Sequence, residues 1–180
     1  FLTLRHEDTS YDDVHNAVPG YIDDLTMWEG VNQTAELQFT LDKRDPYLPY
    51  PKGLVWETTL EKAFEGLGGE FDYMKYWTQL RWYTPLNKLV EGVVDVEGTW
   101  TDENPIILAA RLRVGSATND ELPAFARYSL GGMNTLRGYS SRSFEGSNVL
   151  LGNFELRLPV QDNFTLVGFF DVGNASNSMD

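Results

Sequence analysis

Cysteine is absent and histidine occurs twice in 180 residues, so the chain has no disulfide, no thiolate nucleophile and no Cys-ligated metal centre. His6 and His15 lack metal-ligand spacing. Positive charge is scarce: 14 Lys and Arg stand against 27 Asp and Glu, for a formal net charge of -13. Phosphate binding needs clustered Lys and Arg, so this balance speaks against a nucleic-acid partner and against adhesion to anionic headgroups. No apolar run approaches the ~18 residues expected of a membrane-spanning helix, and no charged-then-apolar signal segment is present. No Gly-x-Ser-x-Gly elbow occurs, and the Gly66, Gly68, Gly69 turn lacks the context of a phosphate loop. No catalytic residue, cofactor or resident metal is therefore expected. The chain lacks an initiating Met and opens Phe-Leu-Thr-Leu, which reads as an excerpt with room for a secretory signal upstream.

An aromatic fraction of 13% argues for a folded chain, and its length for one unit, residues 1–180. Apolar residues recur with a two-residue period, the mark of a strand with one polar side. Leu2 and Leu4 alternate with Thr3 and Arg5. After a polar connection with Asp12, Asp13, Asp23 and Asp24, the period resumes at residues 30–42. Those four acids lack EF-hand spacing and read as solvated. A turn rich in proline (Pro46, Pro49, Pro51) reverses the chain and ends at Gly53. Strands then follow at residues 54–61 and 71–84. Residues 86–102 are open between a strand, a short helix and an insertion. Further strands begin at Pro105, run from Gly146 until Pro159 closes them, and span residues 164–172.

The polar faces carry full charges, including Arg81, Arg111, Arg113, Glu155, Arg157 and Asp171. Two settings produce such strands. A soluble sandwich or barrel buries the apolar faces; an outer-membrane barrel turns them to lipid and lines a wet lumen with the charges. Alternation over about 9–11 residues suits a strand crossing a bilayer, whereas soluble strands are more often about 5–6 residues long. Trp56, Trp77, Trp82, Tyr73, Tyr76 and Tyr83 near strand ends would form an interfacial girdle. Length and girdle favour the membrane barrel.

The stretch Leu130-Gly-Gly-Met-Asn-Thr-Leu-Arg-Gly-Tyr139 sets one Arg among glycines, and the next two strands offer Glu155 and Asp171 on their charged faces. The segments Leu136-Arg137-Gly138-Tyr139, preceded by Gly131-Gly132, then Asn153-Phe154-Glu155-Leu156-Arg157, then Phe169-Phe170-Asp171-Val172-Gly173, resemble the barrel of outer-membrane protein assembly factors of the BamA/TamA (bacterial surface antigen) type. Asp42-Lys43-Arg44-Asp45, closing at Lys52-Gly53, resembles that family's periplasmic Asp-x-Arg-Asp turn, with prolines off the usual spacing.

The resemblance implies an all-β, antiparallel transmembrane β-barrel, incomplete here, about half of a barrel of ~16 strands. It implies a lumenal loop whose Arg137 contacts Glu155 and Asp171, with Gly138 easing the backbone past the wall and Tyr139 packed on it. It places the protein in the bacterial outer membrane, folding and inserting β-barrel proteins at a seam outside this sequence. The partners implied are outer-membrane lipid, unfolded outer-membrane clients, and periplasmic or lipoprotein assembly subunits. Alternatives are a two-partner secretion pore, the barrel of a patatin-type phospholipase, and a soluble β-barrel binding domain. Glu57 and Glu61 would suit glycosidase chemistry, but lining a lumen is the simpler role.

Overall fold

The computed structural model describes residues 2–9, 30–86, 104–119, 122–161 and 164–177. Strands β1 (Leu2–Thr9), β2 (Gly30–Asp42), β3 (Gly53–Ala63), β4 (Met74–Pro85) and β5 (Ile107–Ala117) lead to two short strands, β6 (Tyr128–Leu130) and β7 (Phe144–Gly146), and then to β8 (Asn148–Gln161) and β9 (Phe164–Ser176). The long strands form a seven-stranded sheet in the order β1-β2-β3-β4-β5-β8-β9, while β6 and β7 pair as a separate ribbon. Every pairing is antiparallel. An all-β antiparallel sheet left open is the expected architecture of an incomplete barrel.

Alternation sorts the two faces. Leu37, Phe39, Trp56, Leu60, Leu80, Leu112, Phe154 and Phe170 are exposed on one of them. The other carries Glu57, Gln79, Arg81, Arg111, Asn153 and Asp171. Ladder pairing joins Val55, Arg81, Arg111, Asn153 and Asp171 into a single row across five strands. Because the side-chain period is two, a one-residue slip would send all of these charges to the apolar face, so register is strongly specified.

The core lies between the charged face and the β5–β8 connection, whose described residues 122–147 cross that face. Tyr128, Leu130 and Leu136 of the connection bury against Val149 and Leu151 of β8, with Trp77 and Ala175 at the margin. A second cluster seats Leu122 and Ala126 on Ala63 and Tyr73. Burial raises the Tyr128 phenol above its ordinary range, so it remains a neutral donor, and its hydroxyl donates to the Tyr76 carbonyl at 2.7 Å. Gly115 provides the space: a Cβ there would lie 2.9 Å from Tyr128 Cζ and 3.0 Å from Trp77 Cβ.

Several sequence expectations are corrected. Pro159 does not end β8, which continues to Gln161 through a register shift between Pro159 and Gln161. The β5 ladder has already ended at Arg157, so the missing proline N–H interrupts no pairing on that side. The aromatic girdle is half as large as expected: Trp56, Tyr76 and Trp82 are exposed on the apolar face, but Tyr73 is 2% exposed and Trp77 lies under the Arg113 guanidinium. Tyr83 lines the charged side. These three odd-numbered residues share the parity of Lys75, Gln79 and Arg81, which sends them inward. The expectations for residues 10–29 and 87–102, including the four loop acids and His15, lie outside the described residues.

Gly115→Val in the full-length protein should therefore destabilise the barrel by about 1–3 kcal/mol through overpacking, read as a lower urea midpoint. Gly168→Ala, where an added Cβ meets nothing within 4 Å, should leave the midpoint unchanged.

Candidate functional site

The connection between β6 and β7 closes on itself before it touches the wall. Gly131 and Gly132 take φ of +122° and +84°, and Gly138 takes +92°, the left-handed region that glycine adopts without strain. At Gly131 a side chain is also excluded sterically, since a Cβ would lie 2.1 Å from the Ser140 carbonyl oxygen. The Thr135 hydroxyl accepts from Gly131 N at 2.7 Å and donates to Gly131 O at 2.8 Å, while Gly132 N donates to Tyr139 O at 2.9 Å. The compact turn that results presents Leu136 and Arg137 to the sheet.

Leu136 enters the apolar cluster, and Gly173 makes room for it: a Cβ there would meet Leu130 Cδ1 at 3.0 Å and Leu136 Cδ2 at 3.4 Å. Arg137 then spans two strands. Its Nε and Nη2 donate to Asp171 Oδ2 and Oδ1 at 2.7 and 2.6 Å, its backbone N donates to Asp171 Oδ2 at 3.0 Å, and its Nη1 donates to Glu155 Oε1 at 2.6 Å. The fork to Asp171 is bidentate, the geometry a planar guanidinium favours. The guanidinium carbon also sits 3.8 Å from the centroid of the Phe169 ring, close enough for a cation–π contact. Side-chain exposure is 18% for Arg137, 21% for Glu155 and 4% for Asp171, so the cluster is largely removed from water. Hydrogen bonding to Asp171 raises the Arg137 pKa above the ordinary arginine value; the residue remains a fixed cation.

Four further residues complete the site, and sequence reasoning assigned none of them a contact with the loop. Phe169 supplies the ring under Arg137. Arg157 holds the other Glu155 oxygen through Nε and Nη2, at 3.0 and 2.7 Å. Asn153 donates to Asp171 Oδ1 at 2.6 Å and to the Thr135 carbonyl at 2.7 Å. Arg111 donates through Nε to Asn153 Oδ1 at 2.8 Å and through Nη2 to the Asn134 carbonyl. Parity was the available signal: Phe169 lies two residues before Asp171, Asn153 two before Glu155, and Arg157 two after it, all on one face.

Two expected contacts take a different form. Tyr139 is 56% exposed and makes an edge contact with Phe144 of the connection itself, at 5.1 Å between ring centroids, instead of packing on the wall. Gly138 has nothing within 4 Å of an added Cβ, so its positive φ, and no close approach to the wall, explains the glycine.

The turn residues Asp42, Arg44, Asp45 and Gly53 lie at the opposite end of the sheet from the connection. Arg44 donates through Nε and Nη2 to the two Asp42 oxygens at 3.0 and 2.5 Å and through its backbone N at 3.0 Å, and this hydrogen bonding raises its pKa. Asp45 N donates to Lys52 O at 2.8 Å, and Asp45 Oδ1 accepts from Tyr47 N at 3.0 Å. At Gly53, φ is +123° and a Cβ would lie 2.4 Å from the Lys43 carbonyl oxygen. Glu57 is engaged by Arg81 and Gln79, each at 2.8 Å, and Glu61 by Tyr73 and Lys75 at 3.0 and 3.4 Å. Among the described residues, no group of three or more His, Cys, Asp and Glu is placed to hold a metal ion.

The arrangement can fix a loop against a wall. Known proteins share its frame. The Omp85 superfamily domain matches residues 3–180. The outer membrane protein assembly factor BamA of Nitratidesulfovibrio vulgaris is 24% identical over 163 residues, which are 81% of this chain and 18% of that protein. The crystal structure of BamA from Haemophilus ducreyi lacking POTRA domains 1-3 superposes with a TM-score of 0.61 at 17% identity, covering 81% of this chain and 30% of that one. The chain thus spans less than a third of either relative, and the structural likeness bears on fold alone. With the family's domain model matching residues 3–180, nearly the whole of this chain, the chain belongs to the Omp85 superfamily.

Proposed function

We propose that residues 1–180 form part of one outer-membrane β-barrel domain of a protein assembly and insertion factor, in which the connection after β5 is latched to the inner wall. Omp85 proteins are outer-membrane β-barrels, and the exposed apolar face from Leu37 to Phe170 has the composition such a barrel turns to lipid. The role of the Nitratidesulfovibrio vulgaris relative as an outer membrane protein assembly factor supports the functional half of the reading. Unfolded outer-membrane proteins would be its clients, and periplasmic or lipoprotein subunits its accessory partners.

The observation that carries the latch is the Arg137 fork onto Asp171 with its fourth N–H bond to Glu155. Breaking a desolvated ion pair from one side strands the other charge, which costs more than the pair itself contributes. The latch thus holds β8, β9 and the connection in one geometry while strands elsewhere in the barrel rearrange around a client. Its role is positional, with no bond-making step.

In the full-length protein, Arg137→Ala should destabilise the folded barrel by about 3 kcal/mol, the lower end for a partly solvated pair. The measurements are heat-modifiable mobility on a gel and the yield of a folded client in reconstituted membranes. Arg137→Lys keeps the charge without the fork and should fall between the two. Wild-type behaviour of Arg137→Ala in both assays would refute the latch.

The two acids should also differ. Asp171 receives three N–H groups from Arg137, whereas Glu155 receives one and remains bound to Arg157. Asp171→Asn should therefore lower the thermal midpoint of the full-length barrel more than Glu155→Gln; the reverse order would contradict the assignment of Asp171 as the principal anchor.

A further inference from the structure

The row Val55, Arg81, Arg111, Asn153, Asp171 places Arg81 and Arg111 directly opposite each other on neighbouring strands. Like charges in that position repel. Arg81 is offset by Glu57 at 2.8 Å, yet its Nε is buried without a hydrogen-bond partner. Arg111 has no carboxylate partner among the described residues; Asn153 Oδ1 and the Asn134 carbonyl, both neutral, receive its Nε and Nη2.

The nearby acids are already engaged by other groups. Glu155 gives one oxygen to Arg137 and the other to Arg157. Asp171 gives both to Arg137, and one of them also to Asn153. Guanidinium groups carry donors only, so the local surplus is of N–H groups and positive charge, inside a chain whose net charge is -13.

That surplus faces a cleft of about 250 Å³ between the wall and the connection, lined by Arg81, Arg111, Arg137, Arg157, Glu155 and Asn134 among others. We propose that this cleft binds a compact oxyanion of the phosphate class, gripped chiefly by Arg111 and Arg81. Planar forks on two strands suit an anion with several equivalent oxygens. Arg111 already holds the connection at the Asn134 carbonyl, so an anion bridging it to Arg81 ties the connection to β4 as well as to β8 and β9. The bound anion replaces the repulsion between the two arginines by a shared attraction and stiffens the seated connection. This inference concerns the cleft alone and stands apart from the assembly reading.

The test is calorimetric titration of the full-length protein in detergent with inorganic phosphate, at constant ionic strength maintained with chloride. Saturable binding is expected in the wild type. Arg111→Gln and Arg81→Gln should each weaken it about tenfold or more, as loss of charge-assisted hydrogen bonds implies. Lys52→Gln, the same charge change in the exposed turn, should not alter it. Heat-modifiable mobility verifies that each variant is folded; if Arg111→Gln is not, Arg111→Lys should still bind more weakly than the wild type. Equal affinity in a folded arginine variant, or an equal loss in Lys52→Gln, overturns the proposal. Absence of saturable wild-type binding, the result expected if a carboxylate from the rest of the barrel fills the cleft, overturns it too.

Discussion

In the reading proposed above, the position of the β5–β8 connection rests on the bond between Arg137 and Asp171. A guanidinium leaves water at acceptable cost only when its donors find acceptors of opposite charge. Asp171, with a side chain 4% exposed, meets three N–H groups of Arg137, Glu155 meets another, and Phe169 covers one face of the plane. The β8–β9 register creates this receptor, because it sets Asn153 opposite Asp171 and Glu155 opposite Phe169. The glycines at 131, 132 and 138 allow the turn tight enough to deliver Arg137 to it.

Around that bond the sheet is organised inside out relative to a soluble domain. Its apolar residues are exposed, its charges face inward, and the buried cluster of Tyr128, Leu130, Leu136, Val149 and Leu151 exists only because the connection lies on the wall. Connection and wall therefore form one packed unit joined in two ways, by apolar burial at Leu136 and by ion pairing at Arg137. The first is insensitive to orientation and the second is not, which is why the charged contacts define where the turn sits. Arg111 and Asn153 add a third attachment through the carbonyls of Asn134 and Thr135.

Much of this was legible in the residues. Residues 30–42 read as a strand and are one, and Glu155 and Asp171 stand on the charged face where parity put them. Motif order pointed to the Arg137 triad. Other features were not legible. Trp77 and Tyr73 looked like girdle aromatics because composition near strand ends carries no facing information until parity is traced from Arg81. Pro159 looked like a terminator because nothing local says that β5 has already ended beside it. Tyr139 looked like a wall contact, but its partner, Phe144, lies on the short strand β7.

The sequence by itself determined the long strands, the alternation along them and the glycine-bounded turn, because a two-residue period and positive φ are local consequences of backbone sterics. Alternation alone left the environment of the apolar face open, since a soluble core and lipid select the same pattern, and it was strand length that favoured lipid. Only the tertiary structure decided that Phe169, Asn153 and Arg157 join the two acids around Arg137. Its partners lie 18 and 34 residues away along the chain, and they converge because the β8–β9 ladder aligns them and the connection folds back across it. Long-range pairing of that kind is a property of register, which no single strand contains.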